Sequence, residues 1–181
     1  MNLKRFFFKD FFQPLHAGNE EDLGGNSINI TFSNKWMIDK NNSNLHWCWD
    51  HLVLLHWMSS ELKTDNITML YEFFLNKIKA NETFLNEYLN RKVDFIAIAE
   101  DSRAIVLSDV YGTMVNYDFN NLDIKYANDT IGLIQNRIMK SGLQMASILN
   151  QIFDERTKNK ANYCNGPSIF LLILATIFYM F

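Results

Sequence analysis

Apolar side chains recur at three- and four-residue intervals over two long stretches of the chain. In residues 67–91 the recurring positions are Leu70, Phe74, Ile78, Leu85 and Leu89. In residues 130–154 they are Ile131, Ile134, Ile138, Met145, Leu149 and Ile152, with Lys and Arg residues expected on the opposite side. This spacing is the period of an α-helix that buries one face. The pattern therefore predicts helices over both stretches.

A third stretch, residues 46–59, is almost wholly apolar apart from its His and Asp residues, and we expect a buried helix that carries a polar site. Gly24-Gly25 followed by the alternating INITF predicts a short β-hairpin or turn near 24–33. Residues 92–111 are compatible with either a helix or a strand, and residues 112–123 predict a connecting loop. The predicted fold class is all-α, mostly helical.

The chain of 181 residues suits one domain. We predict that domain over 1–154, a linker over 155–168 and a hydrophobic C-terminal tail over 169–181. The tail, IFLLILATIFYMF, is uncharged but shorter than the roughly 20 apolar residues that span a bilayer. It is consistent with a membrane or lipid-anchor signal, with a segment of a longer protein, or with a core helix. The N-terminus predicts no signal peptide, because Lys9 and Asp10 interrupt its short apolar run.

Composition and charge narrow the classes of function. Hydrophobic residues make up 48% of the chain, which is enough for a core, and the net charge is −3. This charge argues against a general polyanion-binding surface but not against a nucleic-acid site built around metal. Cys48 and Cys164 match no zinc-finger spacing. The Asn-x-Ser/Thr sequons favour a secreted or membrane-anchored protein, and they begin at Asn29, Asn41, Asn66, Asn81 and Asn128.

The candidate chemistry is a metal site. His46 and Asp50 are four residues apart on the predicted helix, so their side chains share one face. With His16 as a third ligand they form a His-His-Asp set, the pattern of a zinc site that keeps an open position for catalysis. Imidazole and carboxylate together favour zinc over calcium. We interpret His51 and His56 as structural residues.

The longer string of motifs around these residues resembles a known family. In chain order the matching residues are Asp10, Gln13-Pro14-Leu15-His16, Gly24-Gly25-Asn26, Ile28-Asn29-Ile30-Thr31-Phe32, Asn44-Leu45-His46, Trp49 and Asp50. Softer matches follow at Ala99-Glu100-Asp101-Ser102, Ile138-Met139-Lys140-Ser141-Gly142, Ala146 and Leu149-Asn150. Together they resemble the class I nucleases, the zinc-dependent single-strand nucleases and 3′-nucleotidases of the phospholipase C–nuclease superfamily.

The resemblance implies a mostly helical fold and hydrolysis of phosphodiester bonds in single-stranded DNA or RNA, with 3′-nucleotidase action as a further activity. It also implies a centre of three zinc ions. His16, His46 and Asp50 fall on the ligands of one zinc, and Asp10 falls on an aspartate that bridges the other two and is thereby catalytic. Leu23 falls where the family places an apolar wall against a substrate base, and stacking on such a wall tolerates any base.

The chain also departs from the family pattern. Its resemblance covers the second half of the family domain, Phe6 stands where a histidine ligand is expected, and Lys9 replaces a preferred glycine. Leu107 replaces a cysteine that, in the family, pairs with the first half. One site of the zinc cluster is therefore retained. Two explanations stay open: a truncated sequence of an active enzyme, for which activity of this part alone is doubtful, or a degenerate relative that binds one metal.

Two rival functions also remain. One is a catalytically dead, membrane-tethered helical binding protein that uses its C-terminal tail. The other is a phospholipase-C-like lipid hydrolase, since that superfamily uses a similar zinc cluster. Under the nuclease interpretation the partner is single-stranded nucleic acid or a nucleotide as substrate, and no protein partner is predicted.

Overall fold

A computed structural model describes residues 12–31, 43–89, 91–122 and 124–158 of the chain. The described residues are mostly helical, as predicted, and they contain no β-strand. The predicted turn near Gly24-Gly25 is present. The extended backbone that follows makes an antiparallel bridge between Asn29 and Asn44. Phe32, the last residue of INITF, lies outside the described residues.

The first long helical run covers residues 45–62 and is called the ligand helix below. It consists of α1 (Leu45–Trp47), a wider π-helical turn (Cys48–Leu52), α2 (Val53–Trp57) and a second π-helical turn (Met58–Leu62). It ends at Lys63, whose φ of 51° is left-handed. The prediction of a buried helix over 46–59 is confirmed.

Two helices replace the single helical stretch predicted over 67–91. They are α3 (Ile67–Lys79) and α4 (Glu82–Leu89). The break falls at Asn81, whose side-chain oxygen accepts a hydrogen bond from the backbone N–H of Phe84 at 3.0 Å. An asparagine at this position starts a new helix, because its side chain satisfies an N–H that has no partner within the helix.

Residues 92–111, which left helix and strand open, form α5 (Phe95–Ile105) and a π-helical continuation (Val106–Tyr111). Its buried side chains are spaced four residues apart: Ile98, Ser102, Val106 and Val110. That spacing is helical, so the strand alternative is wrong. The predicted connection over 112–123 contains two short 3-10 turns, Met114–Asn116 and Phe119–Asn121.

The last helix, α6, runs from Ile124 to Lys158 and includes the helix predicted over 130–154. Ile134 and Ile138 are buried, whereas Ile152 is exposed. Arg137 was expected on a solvated face opposite the apolar stripe. It is instead buried, with 4% of its surface exposed. The helix continues past residue 154, so residues 155–158 of the predicted linker are helical. The tail over 169–181 lies outside the described residues.

The chain divides into two compact units. The first unit is Met1–Asp65 with Phe95–Arg137, and the second is Asn66–Asp94 with Ile138–Phe181. The first unit has a core around the ligand helix, where the Trp49 indole N–H donates to the Tyr126 hydroxyl at 2.8 Å. The second unit buries Leu70, Phe74 and Leu143. Among the described residues, no helix combines the length and the apolar character that crossing a bilayer requires.

Candidate metal centre

The ligand helix supplies two of the predicted site residues. Asn44 caps its N-terminus by accepting a hydrogen bond from the Trp47 N–H at 2.8 Å. His46 follows on α1, and Asp50 lies on the π-helical turn after it. The His46 Nε2 and Asp50 Oδ2 atoms are 3.5 Å apart. Local helix geometry is therefore sufficient to bring these two donor groups together.

His16 comes from a separate element, the 3-10 turn Pro14–Ala17. The side chain of Gln13 caps this turn by accepting from the Leu15 N–H at 2.5 Å. Pro14 suits the first position of the turn, since it has a fixed φ and no N–H that would need a partner. The His16 and His46 rings stack at a centroid distance of 4.9 Å, and their Nε2 atoms lie 3.1 Å apart.

The three donor atoms lie close enough together to hold a small cation. One nitrogen from each histidine and one oxygen from Asp50 all lie within 4.8 Å of one another. A tetrahedral zinc with bonds of about 2.0–2.1 Å places its ligand atoms roughly 3.3 Å apart. The separations between the two histidine Nε2 atoms, 3.1 Å, and between His46 Nε2 and Asp50 Oδ2, 3.5 Å, bracket that value, and the third pair, His16 and Asp50, lies within 4.8 Å. Two imidazole nitrogens and a carboxylate oxygen also match the chemistry of zinc, so the residues fit the ion.

The backbone of the glycine turn fixes the tautomer of His46. Its Nδ1 lies 2.7 Å from the carbonyl oxygen of Gly24. Because a carbonyl oxygen accepts and never donates, Nδ1 carries the proton and Nε2 is left with a lone pair. Nε2 is the atom that faces His16 and Asp50. A hydrogen bond of this kind on the second nitrogen is typical of metal-binding histidines.

Gln13 connects the turn to the helix. Its Nε2 donates to Asp50 Oδ1 at 3.0 Å, while its Oε1 accepts from the Leu15 N–H. The first bond leaves Asp50 Oδ2 directed at His46. One amide thus orients a carboxylate on the helix and shapes the turn that carries His16. The place of Gln13 in the QPLH motif indicated that this residue is part of the site. The motif did not indicate which groups the side chain connects.

The glycine turn is packed tightly against the His16 turn. Leu23, Gly24 and Gly25 have left-handed φ values of 55°, 62° and 84°. A Cβ on Gly24 would lie 2.4 Å from the carbonyl oxygen of Leu15. Glycine at this position therefore meets two needs, a left-handed backbone and an approach too close for any side chain. Leu23, at the apex, is 66% exposed.

A residue distant in sequence holds this glycine turn in place. The Tyr111 hydroxyl donates to Asp22 Oδ1 at 2.9 Å and accepts from the Asn19 N–H at 3.2 Å. The same Asp22 oxygen accepts from the Gly25 N–H at 2.8 Å. Burial is the main cause that raises the pKa of Tyr111 above its ordinary value, so the hydroxyl stays a donor. Sequence reasoning missed Tyr111, since no local signal links it to Asp22.

Of the predicted site residues, the structure brings together His16, His46 and Asp50. Their binding of zinc stays a prediction, as does a stacking role for Leu23. Asp10 lies outside the described residues. His51 stacks on the Trp47 ring at 5.2 Å, and His56 is buried. Among the residues described, neither of these two histidines belongs to the metal-competent group.

Comparison with known proteins identifies a family and several relatives that this chain resembles. A family model described as S1/P1 Nuclease matches residues 3–154, which include all three members of the candidate centre. The chain is 29% identical over 153 residues to Endonuclease 1 of Arabidopsis thaliana, with 82% of this chain and 48% of that protein covered. It is 26% identical over 162 residues to Endonuclease 4 of the same plant, with 84% and 50% covered. The chain thus spans about half the length of these relatives.

Proposed function

This chain belongs to the S1/P1 nuclease family, and from that premise we propose that it binds zinc through His16, His46 and Asp50 and serves the hydrolysis of phosphodiester bonds in single-stranded DNA or RNA. The observation that carries the proposal is the convergence of three donor atoms within 4.8 Å. Action on 3′-nucleotides and a bridging role for Asp10 belong to the same proposal.

The chain's own residues support this in three ways. His46 presents a lone pair at Nε2 because its Nδ1 proton is held by Gly24. Asp50 is oriented by Gln13 through one oxygen, and its second oxygen faces His46. A zinc ion held by these residues would supply positive charge that stabilises a phosphate during phosphodiester cleavage.

Leu23 would contribute to substrate binding. Its side chain is exposed at the apex of the glycine turn, and that turn also supplies the carbonyl that fixes His46. An apolar side chain beside a phosphate-binding centre offers a base a surface on which to stack, without selecting a particular base. This arrangement suits a substrate of mixed sequence. Because the chain has a net charge of −3, the bound metal would be the main source of attraction for the phosphate groups.

The test compares the wild-type chain with His46→Ala and with His51→Gln as a matched control on the same helix. Zinc binding is measured by competition with a chromophoric chelator, and cleavage is measured on a single-stranded oligonucleotide. We expect His46→Ala to abolish zinc binding and any chelator-sensitive cleavage, and His51→Gln to retain both. Zinc at a hundred times its Kd should also raise the unfolding free energy of the wild type by about 2.7 kcal/mol.

The outcomes separate the alternatives. A wild type that binds no zinc, or a His46→Ala variant that binds it equally well, overturns the metal centre. Zinc binding without cleavage of oligonucleotide or 3′-nucleotide overturns hydrolysis by this chain and favours a one-metal binding protein. Cleavage of phosphatidylcholine vesicles without cleavage of nucleic acid favours a lipid hydrolase.

A further inference from the structure

Two arginines hold the two ends of the segment that carries His16. Arg137 Nε donates to the carbonyl oxygen of Phe12 at 2.8 Å. Arg103 Nη1 donates to the carbonyl oxygen of Ala17 at 2.9 Å. Phe12 immediately precedes Gln13, and Ala17 is the last residue of the 3-10 turn. The segment is therefore bracketed by charged donors that come from α6 and α5.

Arg137 uses all three nitrogens of its guanidinium to hold its end of the segment. Besides Phe12, its guanidinium pairs with Asp101 through Nη1 and donates to the Ser102 hydroxyl through Nη2. Its carbon Cζ lies 5.1 Å from the centroid of the Phe12 ring. The planar guanidinium presents donors in fixed directions, so a buried arginine with these partners has little freedom to move.

Helix α5 contributes contacts at both ends of the segment 12–17. Asp101 and Ser102 engage Arg137, and the next residue, Arg103, reaches Ala17 directly. Three consecutive residues of one helix thus help to hold the six-residue segment 12–17 in place. A carbonyl that accepts from a charged donor is held more firmly than one that accepts from a neutral donor.

The metal site needs such support on its turn side. His46 and Asp50 are placed by the helix that bears both, whereas His16 lies on a four-residue turn that has no comparable internal framework. Resting on the zinc centre proposed above, we propose that Arg103 is a positioning residue that sets the zinc affinity by holding one end of the His16 turn, while Arg137 anchors the other end. Neither arginine touches the ion in this scheme; each acts through a backbone carbonyl.

The test uses Arg103, because Arg137 is buried and bonds to the Phe12 carbonyl and the buried Ser102 hydroxyl, so its removal would endanger the fold. Arg103→Met removes the bond to Ala17 while keeping an apolar stem. Arg103→Lys keeps a charged donor. Arg91→Met, at an exposed arginine of the second unit, is the matched control. Zinc affinity, the visible spectrum of the cobalt(II)-loaded chain, and the melting temperature in chelator are measured for each.

We expect Arg103→Met to weaken zinc binding by about tenfold, the lower end of the loss that follows removal of a partner of a metal ligand, because Arg103 acts on the residue next to His16 and not on His16 itself. The cobalt spectrum should change, because one of the ligands is displaced. Arg103→Lys should recover much of the affinity, and Arg91→Met should match the wild type. These readouts separate a positioning role from a purely structural one, which would lower the melting temperature alone.

The proposal is overturned if Arg103→Met binds zinc as tightly as Arg91→Met with an unchanged cobalt spectrum, even when its melting temperature falls. That outcome leaves the zinc centre itself intact. A wild-type chain that binds no zinc instead overturns the centre, and the positioning role with it.

Discussion

The candidate centre joins a helix side and a turn side that are organised by different means. On the helix side, His46 and Asp50 lie four residues apart on one run of helix, and backbone geometry brings them to 3.5 Å. On the turn side, His16 reaches the same point from 30 residues away, with its Nε2 3.1 Å from that of His46. The helix side is local, whereas the turn side depends on contacts with distant parts of the chain.

These distant contacts come from several elements. Gln13 bonds to Asp50, Gly24 bonds to His46, and Arg103 and Arg137 bond to the ends of the His16 segment. The bonds of Gln13, Arg103 and Arg137 each hold the short His16 turn, which lacks a helix's own hydrogen-bond ladder, and the bond of Gly24 fixes the tautomer of His46. The difference teaches that changes on the turn side should alter metal binding through residues that never touch the ion.

Among the substitutions that test this difference between the two sides, Gly24→Ala should have the largest effect on stability. An alanine would keep a strained left-handed φ and place its Cβ 2.4 Å from the Leu15 carbonyl. We expect a loss of about 3 kcal/mol in unfolding free energy, from backbone strain and forced displacement. Denaturant unfolding in chelator measures it.

Gly132→Ala is the matched control for that change. Gly132 lies within α6, and nothing lies within 4 Å of an added Cβ. Alanine should therefore stabilise the helix by about 0.5–1 kcal/mol. Equal effects at the two glycines would show that the turn side is not as tightly packed as its geometry indicates.

A smaller effect is expected from Gln13→Ala, which removes both the bond to Asp50 and the cap on Leu15. Zinc affinity should fall by about 10- to 100-fold, since Asp50 and the His16 turn both lose an orienting partner. Chelator competition measures the change. Asn26→Ala is the control, because Asn26 donates to Leu23 on the same side of the site without contacting a ligand. An unchanged affinity in Gln13→Ala would mean that the helix side alone orients Asp50.

The smallest expected effect comes from the protonation of His56, which lies on the ligand helix outside the metal-competent group. Burial lowers the pKa of His56 from its ordinary value of 6.5, against a smaller opposing effect of Glu61. The unfolded chain therefore binds this proton more readily, and the stability linked to neutral His56 is present above pH 6.5 and lost as pH falls through the folded-state pKa. His56→Gln should flatten the fall in unfolding free energy below pH 6.5, measured in chelator. Parallel curves for variant and wild type would contradict this.

Apolar spacing predicted most of the helices, but packing corrected their details. The strand alternative for 92–111 failed because Ile98, Ser102, Val106 and Val110 share one buried helical face. Asn81 divided a predicted helix through a cap that periodicity does not register. Arg137 was expected on a solvated face, yet its partners are supplied by Phe12, Asp101 and Ser102, which no pattern near residue 137 reveals.

By itself the sequence determined what depends on neighbouring residues: the mostly helical class, the shared face of His46 and Asp50, and the turn at Gly24-Gly25. These follow from helical period and from the backbone freedom of glycine, both of which act within a few residues. Only the tertiary structure decided which nitrogen of His46 faces the site, how Gln13 divides its amide between two elements, and which arginines hold the His16 turn. Those features depend on hydrogen bonds between groups up to 125 residues apart, and such pairings arise only when the helices and turns have packed.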